Sequence, residues 1–244
     1  MHGFFLFIGS EKMSGKRNRA VFIIVFTLLV VIALIAFLLF KSSDDEKVYN
    51  ESELNIERIL SEVDFNQNGN DDYTDILIGA RKDAEAMPKY DGSYVAGGYP
   101  PDNIGVCTDL VWRAFKEAGY SLKDMLDNDI AAYQSEYPNA DPPDPNIDFR
   151  RVKNLKVFFE KYAKSLTCDI ERVEEFQAGD IVIFGDDNHI GIVSDKRDKD
   201  GHTYVLHNTN QKNREENYLL KHIPTSHYRF DASKIPKNVL CAWE

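Results

Sequence analysis

Residues 179–207 read GDIVIFGDDNHIGIVSDKRDKDGHTYVLH. Three short β-rich runs, 180–184, 189–194 and 203–207, are parted by clusters of Gly, Asp, Asn and Lys, the pattern of short strands joined by turns. Residues 227–230 predict a weaker fourth strand. Upstream, the apolar period changes from two to 3.6. Cys107, Leu110, Val111, Ala114, Phe115 and Ala118 make one continuous stripe, which predicts a helix over 107–118 stopped by Gly119. Further helices are expected over 51–63, 75–87, 122–133 and 154–165, with loops at 64–75, 88–106 and 137–147. Helices first and strands second give an α+β domain, its helices packed on a small antiparallel sheet.

The chain has 244 residues and a net charge of −11. That acidity argues against a nucleic-acid partner, which needs cations to replace phosphate counterions. Three cysteines exclude a disulfide-stapled mini-fold, and 43% hydrophobic residues exclude a disordered chain. The charge is unevenly spread. Residues 1–19 carry Lys12, Lys16, Arg17 and Arg19 against Glu11, and 20–40 carry no charge. Those 21 residues would span about 31 Å as a helix, the thickness of a bilayer core. The expected organisation is a cytoplasmic basic tail (1–19), one transmembrane helix (20–40), a tether (41–47) and an extracytoplasmic domain (48–244). Basic residues before the span and acidic ones after it put the N-terminus inside the cell and the domain outside. A cleaved signal peptide is the competing expectation, disfavoured by the length of the run and the lack of a small-x-small end. Met13 opens an ordinary basic start, MSGKRNR, and is the expected initiator.

Cys107 opens the clearest helix. Unpaired N–H groups and the positive end of the helix dipole favour a thiolate there, and the same N–H groups can hold an oxyanion. This predicts a thiol pKa below its usual value of about 8.5. A free Cys in a core is the structural alternative. Cys168 and Cys241 share no such setting and are open between core thiols and a disulfide. A nucleophilic thiol needs a proton partner. His189 opens one strand of the expected hairpin and His207 closes the next. If they pair across, both imidazoles share a face, as base and orienter. A slip of one residue brings Asn208 opposite instead.

The stretches Tyr94-Val-Ala-Gly97-Gly98 and Gly105-Val-Cys107-Thr-Asp109 resemble the Tyr-x-x-Gly-Gly and Asp-Cys-Ser-Gly blocks of the NlpC-type cell-wall cysteine peptidases. Gly179-Asp180-Ile-Val-Ile-Phe184, His189-Ile-Gly-Ile-Val and Val205-Leu-His207-Asn are similar to that family's strands, in the same order. The blocks at 97–101, 105–109, 146–152, 179–182 and 189–195 resemble more closely a bacterial family of unknown function, DUF 1287. The likeness spans roughly residues 72–230. It implies a papain-like fold with Cys107 as nucleophile, His189 as base and His207 as third residue. It also implies a role for Tyr94 in lining the site. Val106 stands where the NlpC pattern has Asp, and Thr108-Asp109 where it has Ser-Gly.

Two further groups carry expectations. Residues 64–75, DFNQNGNDDYTD, place Asp64, Asn66, Asn68, Asp72 and Asp75 at positions 1, 3, 5, 9 and 12 of a twelve-residue loop with Gly69 at the turn, the spacing of a calcium loop. A polar turn between helices is the alternative; any calcium is expected to be structural, and catalysis needs no cofactor. Arg150 and Arg151 could clamp a substrate carboxylate, or be ordinary ion-paired arginines. The expected function is a membrane-anchored extracytoplasmic cysteine hydrolase cutting an amide bond. By resemblance and location its substrate is a peptidoglycan stem peptide. The alternatives are a calcium-stabilised cell-wall or protein-binding module on the same fold, and an acyl transferase using the same Cys–His pair.

Overall fold

The computed structural model describes residues 11–41 and 47–244, with side chains in the first stretch limited to residues 19 and 21–35. The chain forms two compact units, Met1–Glu46 and Lys47–Glu244. The first contains helix α1 (Glu11–Lys41), whose described apolar side chains, from Val21 to Ile35, are exposed. Among the described residues no helix is long and apolar enough to cross a membrane. The other side chains of the 20–40 run, residues 1–10 of the basic tail and residues 42–46 of the tether lie outside the described set.

The second unit is a mixed α+β domain. In chain order it contains α2 (Asp72–Ala86), β1 (Lys89–Tyr90), β2 (Ile104–Gly105), α3 (Cys107–Glu117), α4 (Leu122–Tyr133), α5 (Val152–Tyr162) and β3 (Lys164–Ser165). Five strands follow: β4 (Ile181–Phe184), β5 (His189–Arg197), β6 (Thr203–Leu206), β7 (Glu215–Glu216) and β8 (Pro224–Arg229). The main sheet has six antiparallel strands in the order β3-β8-β4-β5-β6-β7, and β1 and β2 form a small parallel pair.

Side chains alternate across the sheet and so feed two clusters. Ile181, Ile183, Ile190, Ile192 and Leu206 pack beneath the helices, against Leu77, Leu110, Val111 and Phe158. Val182, Phe184, Val193 and Val205 face the other way, with Phe176 and Leu219. The helix expected over 51–63 is not formed; only Ser52–Leu54 makes a short 3-10 turn. Asn55 ends it in the left-handed region at φ 55°. Beyond it the backbone N–H groups of Ile59 and Ser61 bond to side chains, Gln177 Oε1 and Asp71 Oδ1, instead of to a helix ladder. Ile59 and Leu60 stay exposed, so there is no buried face to drive a helix. Helix α2 starts earlier than the pattern suggests, because Asp71 caps it by accepting from Tyr73 N and Thr74 N.

Candidate functional site

Cys107 is the first residue of α3, and a dense set of bonds fixes that helix end. Asp109 accepts from the backbone N–H of Val106 at 2.7 Å and from Trp112 Nε1 at 2.9 Å. The guanidinium of Arg150 forks onto the same carboxylate, Nε to Oδ1 and Nη2 to Oδ2, both at 2.9 Å. Both partners are buried. Arg150 also donates to the carbonyls of Ser93 and Asp91, while Thr108 Oγ1 donates to the carbonyl of Arg150. The blocks at 105–109 and 146–152, apart in sequence, are thus one structural unit. Arg150 is therefore not a free substrate clamp, because Asp109 and two loop carbonyls occupy its donors. Asn208 Nδ2 donates to the carbonyl of Gly105 at 3.1 Å. It ties the strand to the cysteine loop and does not orient His189.

The thiol itself is only 6% exposed. Burial pushes its pKa up to about 11, outweighing the N–H groups of Ile190 and Thr108 that point at the sulfur. The expectation of a lowered pKa fails because desolvation outweighs the helix end. Asp109 adds a small push in the same upward direction. All three cysteines are free thiols.

The two strand histidines meet. His189 Nε2 lies 3.0 Å from His207 Nδ1. The register pairs Ile192 with Leu206 and Val193 with Val205. Continued, it sets His207 opposite Gly191, with His189 on the diagonal. A Cβ on Gly191 would fall 2.6 Å from Val205 Cγ1 and 3.2 Å from His207 Cβ, so only glycine leaves room for this pairing. Tyr218 covers both rings, at 4.1 Å from His207 and 5.5 Å from His189.

Beyond His207 lies Glu216, its Oε1 3.4 Å from His207 Nε2. The Gln211 amide nitrogen is nearer, 3.2 Å from the same Nε2, but it also donates to the carbonyl of His207 at 3.0 Å, so the carboxylate, which only accepts, calls for the proton on His207 Nε2. His207 Nδ1 is then an acceptor and His189 carries its proton on Nε2, leaving His189 Nδ1 as a free base; these tautomers are inferred from the partners. Burial, His207 and His222 hold His189 down at about 3. Burial, with Arg214, Lys221 and His222, does the same for His207. Both rings are neutral at physiological pH.

Cys107 packs with the cluster beneath the helices, His189 and His207 touch Phe184 and Tyr218, and the thiol is near enough to Tyr218 to help burial and Glu216 raise its pKa. They come closest in the chain at the start of β5, where the N–H of Ile190 points at the sulfur. Among the described residues no hydrogen bond joins the thiol to either imidazole.

Cys107 opens onto a cleft of about 320 Å³, lined among others by Tyr90, Val106, Asn139, Arg151 and Lys153. Tyr90, not Tyr94, is the tyrosine of this cleft. Tyr94 is exposed, accepts from Asn146 Nδ2 at 2.8 Å and donates to Asp144 Oδ1. Arg151 uses one nitrogen on Asp148 Oδ1 and the carbonyl of Asn139. Glu216 and Tyr218 carried no sequence signal, since 215–218 has no periodicity. Asp109 and Arg150 carried one that was readable only as charge.

In the 64–75 loop, Asp64 accepts from the N–H groups of Asn68 and Gly69. The amides of Asn66, Asn68 and Asn70 converge on Asp75 at 2.8–3.1 Å. Asp72 accepts from Tyr120 OH at 2.6 Å with one oxygen and from the loop's own Phe65 N at 2.9 Å with the other. Among the described residues no group of three or more His, Cys, Asp or Glu is arranged to hold a metal.

No solved structure matches this chain. It is 37% identical over 165 residues to the uncharacterized protein YijF of Escherichia coli (strain K12), covering 64% of this chain and 80% of the relative. Residues 77–230 match the model described as Domain of unknown function (DUF1287), a span that holds the cysteine helix, the Asp109–Arg150 pair and the histidine strands. The chain belongs to the DUF1287 family.

Proposed function

We propose that this chain is a membrane-anchored extracytoplasmic cysteine hydrolase with a papain-like domain, acting on an amide bond of a peptidoglycan stem peptide. The observation that carries this reading is the helix-opening Cys107, facing a cleft and bordering a strand whose first residue, His189, is paired with His207, which itself lies beside Glu216. The exposed apolar side chains of α1 and the basic residues in its first turns support a single span with the N-terminus inside. In the reaction, His189 Nδ1 takes the thiol proton as Sγ attacks the carbonyl carbon. N–H groups at the start of α3 receive the oxyanion. The C–N bond then breaks and the proton passes from His189 to the leaving amine. Water hydrolyses the thioester to the free acid and restores the thiol. His207, beside Glu216, orients the His189 ring. Arg151 is the substrate contact from the arginine pair. An added amine that intercepts the thioester would show acyl transfer in place of hydrolysis.

The buried thiol and its lack of a bond to His189 favour a second reading, a non-catalytic wall- or protein-binding module. In either case calcium, held by Asp64, Asn66, Asn68 and Asp75 with the carbonyl of Asn70, would stiffen the loop before α2. Incubating the full chain with purified peptidoglycan beside Cys107→Ala, and weighing the released fragments, tests the first reading. Fragments from the parent and none from the variant support it. Identical products from both leave the binding module.

A further inference from the structure

The cleft beside Cys107 has an electrostatic character opposite to that of the chain. The protein carries −11 overall, yet three cations line this cleft, Arg150, Arg151 and Lys153, against one anion, Asp187. Most of these charges are already balanced. Arg150 is matched by Asp109 and Asp187 by Lys156, at 3.1 Å. Arg151 spends Nη1 on Asp148 and Asn139, but its side chain is 40% exposed and its other nitrogens have no partner among the described residues. Lys153 is exposed and meets no carboxylate among the described residues. The amides of Asn139 and Asn188 border the same space. What remains unsatisfied in the lining is therefore positive, with planar donors from one residue and a point charge from another, as suits a carboxylate.

We infer that the cleft selects anionic acyl substrates, reading a carboxylate close to the carbonyl under attack through Arg151 and Lys153. This rests on Cys107 as nucleophile for its biological meaning, and its test does not. An anionic and a neutral alkylating agent of the same size reach the same sulfur through the same cleft. In the full-length protein the rate of Cys107 carboxymethylation by iodoacetate is compared with its carbamidomethylation by iodoacetamide, peptide by peptide. The acetate-to-amide ratio is divided by that of an unstructured cysteine peptide. The normalised ratio is expected to exceed one by about fivefold at low salt and to fall towards one in high salt. Lys153→Glu should drop it below one, and Lys153→Arg should keep it. A normalised ratio near one that Lys153→Glu does not change overturns the proposal. So does a folded Cys107 that neither reagent reaches, since the cleft would then not lead to the thiol. Charge-selective labelling in a protein that cuts no peptidoglycan would refute the hydrolase alone. Charge-blind labelling in an active enzyme would refute the anion selection alone.

Discussion

Replacing Arg150 with Met tests whether the start of α3 is held as described. Met keeps much of the side-chain volume but leaves Asp109, which is fully buried, with only Val106 N and Trp112 Nε1. It also strips the Ser93 and Asp91 carbonyls of a donor. Removing one partner of a buried ion pair costs about 3–5 kcal/mol. For a domain of this size each kcal/mol lowers Tm by about 2–4 °C, so the expected fall is about 6–20 °C. The assay is a thermal melt of the full chain followed by circular dichroism. The double variant Asp109→Asn, Arg150→Met removes both charges and should be less destabilised than the two single costs combined. A Tm for Arg150→Met within about 2 °C of the parent would refute the reasoning, because it would show that the pair does not pin the helix.

Other outcomes follow from the same geometry. With the thiol pushed up to about 11, the iodoacetamide rate at Cys107 should rise about tenfold per pH unit from 7 to 10; a plateau below pH 9 would contradict the burial argument. His189 and His207 have folded pKa values near 3, below the unfolded value, so their stabilising contribution is complete above about 6.5 and is lost as pH falls towards 3. Asp72, raised to about 6, and Glu51, Asp83, Asp127 and Asp148, also raised by burial, act with the opposite sign, so the histidine contribution is read as a difference between variant and parent. Between pH 7 and 4.5 the urea midpoint of His207→Gln should fall less steeply, or rise more, than that of the parent; parallel profiles speak against buried neutral rings. Calcium should raise Tm, and Asp64→Ala should remove that gain; equal melting with calcium and chelator sinks the loop as a site. Gly179 has φ +91°, and a Cβ there would stand 2.6 Å from the carbonyl oxygen of Tyr73. Gly179→Ala should cost about 1–3 kcal/mol in urea unfolding, and a neutral result would show that the turn yields.

The elements that bury a regular face were legible. The stripe from Cys107 to Ala118 and the span Leu122–Tyr133 gave helices, and the short β-rich runs between turn residues gave the strands at 181–184 and 203–206. The run at 51–63 has helical spacing but docks through Gln177 and Asp71, and periodicity does not see such long-range acceptors. Cys107, His189 and His207 stand out in the sequence by their positions at element ends, but their ionisation was not legible. Helix position is local, whereas desolvation depends on packing from α3 and β5 together. The diagonal pairing of the histidines was one register beyond those weighed, because nothing local specified Gly191 as the residue across from His207. Whether Arg150 was a substrate clamp or an ion-paired arginine stayed open in the sequence because its partner lies 41 residues upstream.

Arg197 has a mechanical consequence. Just after the first described residue of the second unit, Tyr49 forms a two-way backbone bridge with Arg197, at 2.9 and 2.8 Å. The fully buried Arg197 side chain is in turn anchored on the carbonyls of Val173, Gly201 and Phe176. A pull applied at Lys47 therefore enters the domain at the far end of β5, the strand that begins with His189. The bridge and the guanidinium latch take that load first, and the helix that begins with Cys107 is spared until they part.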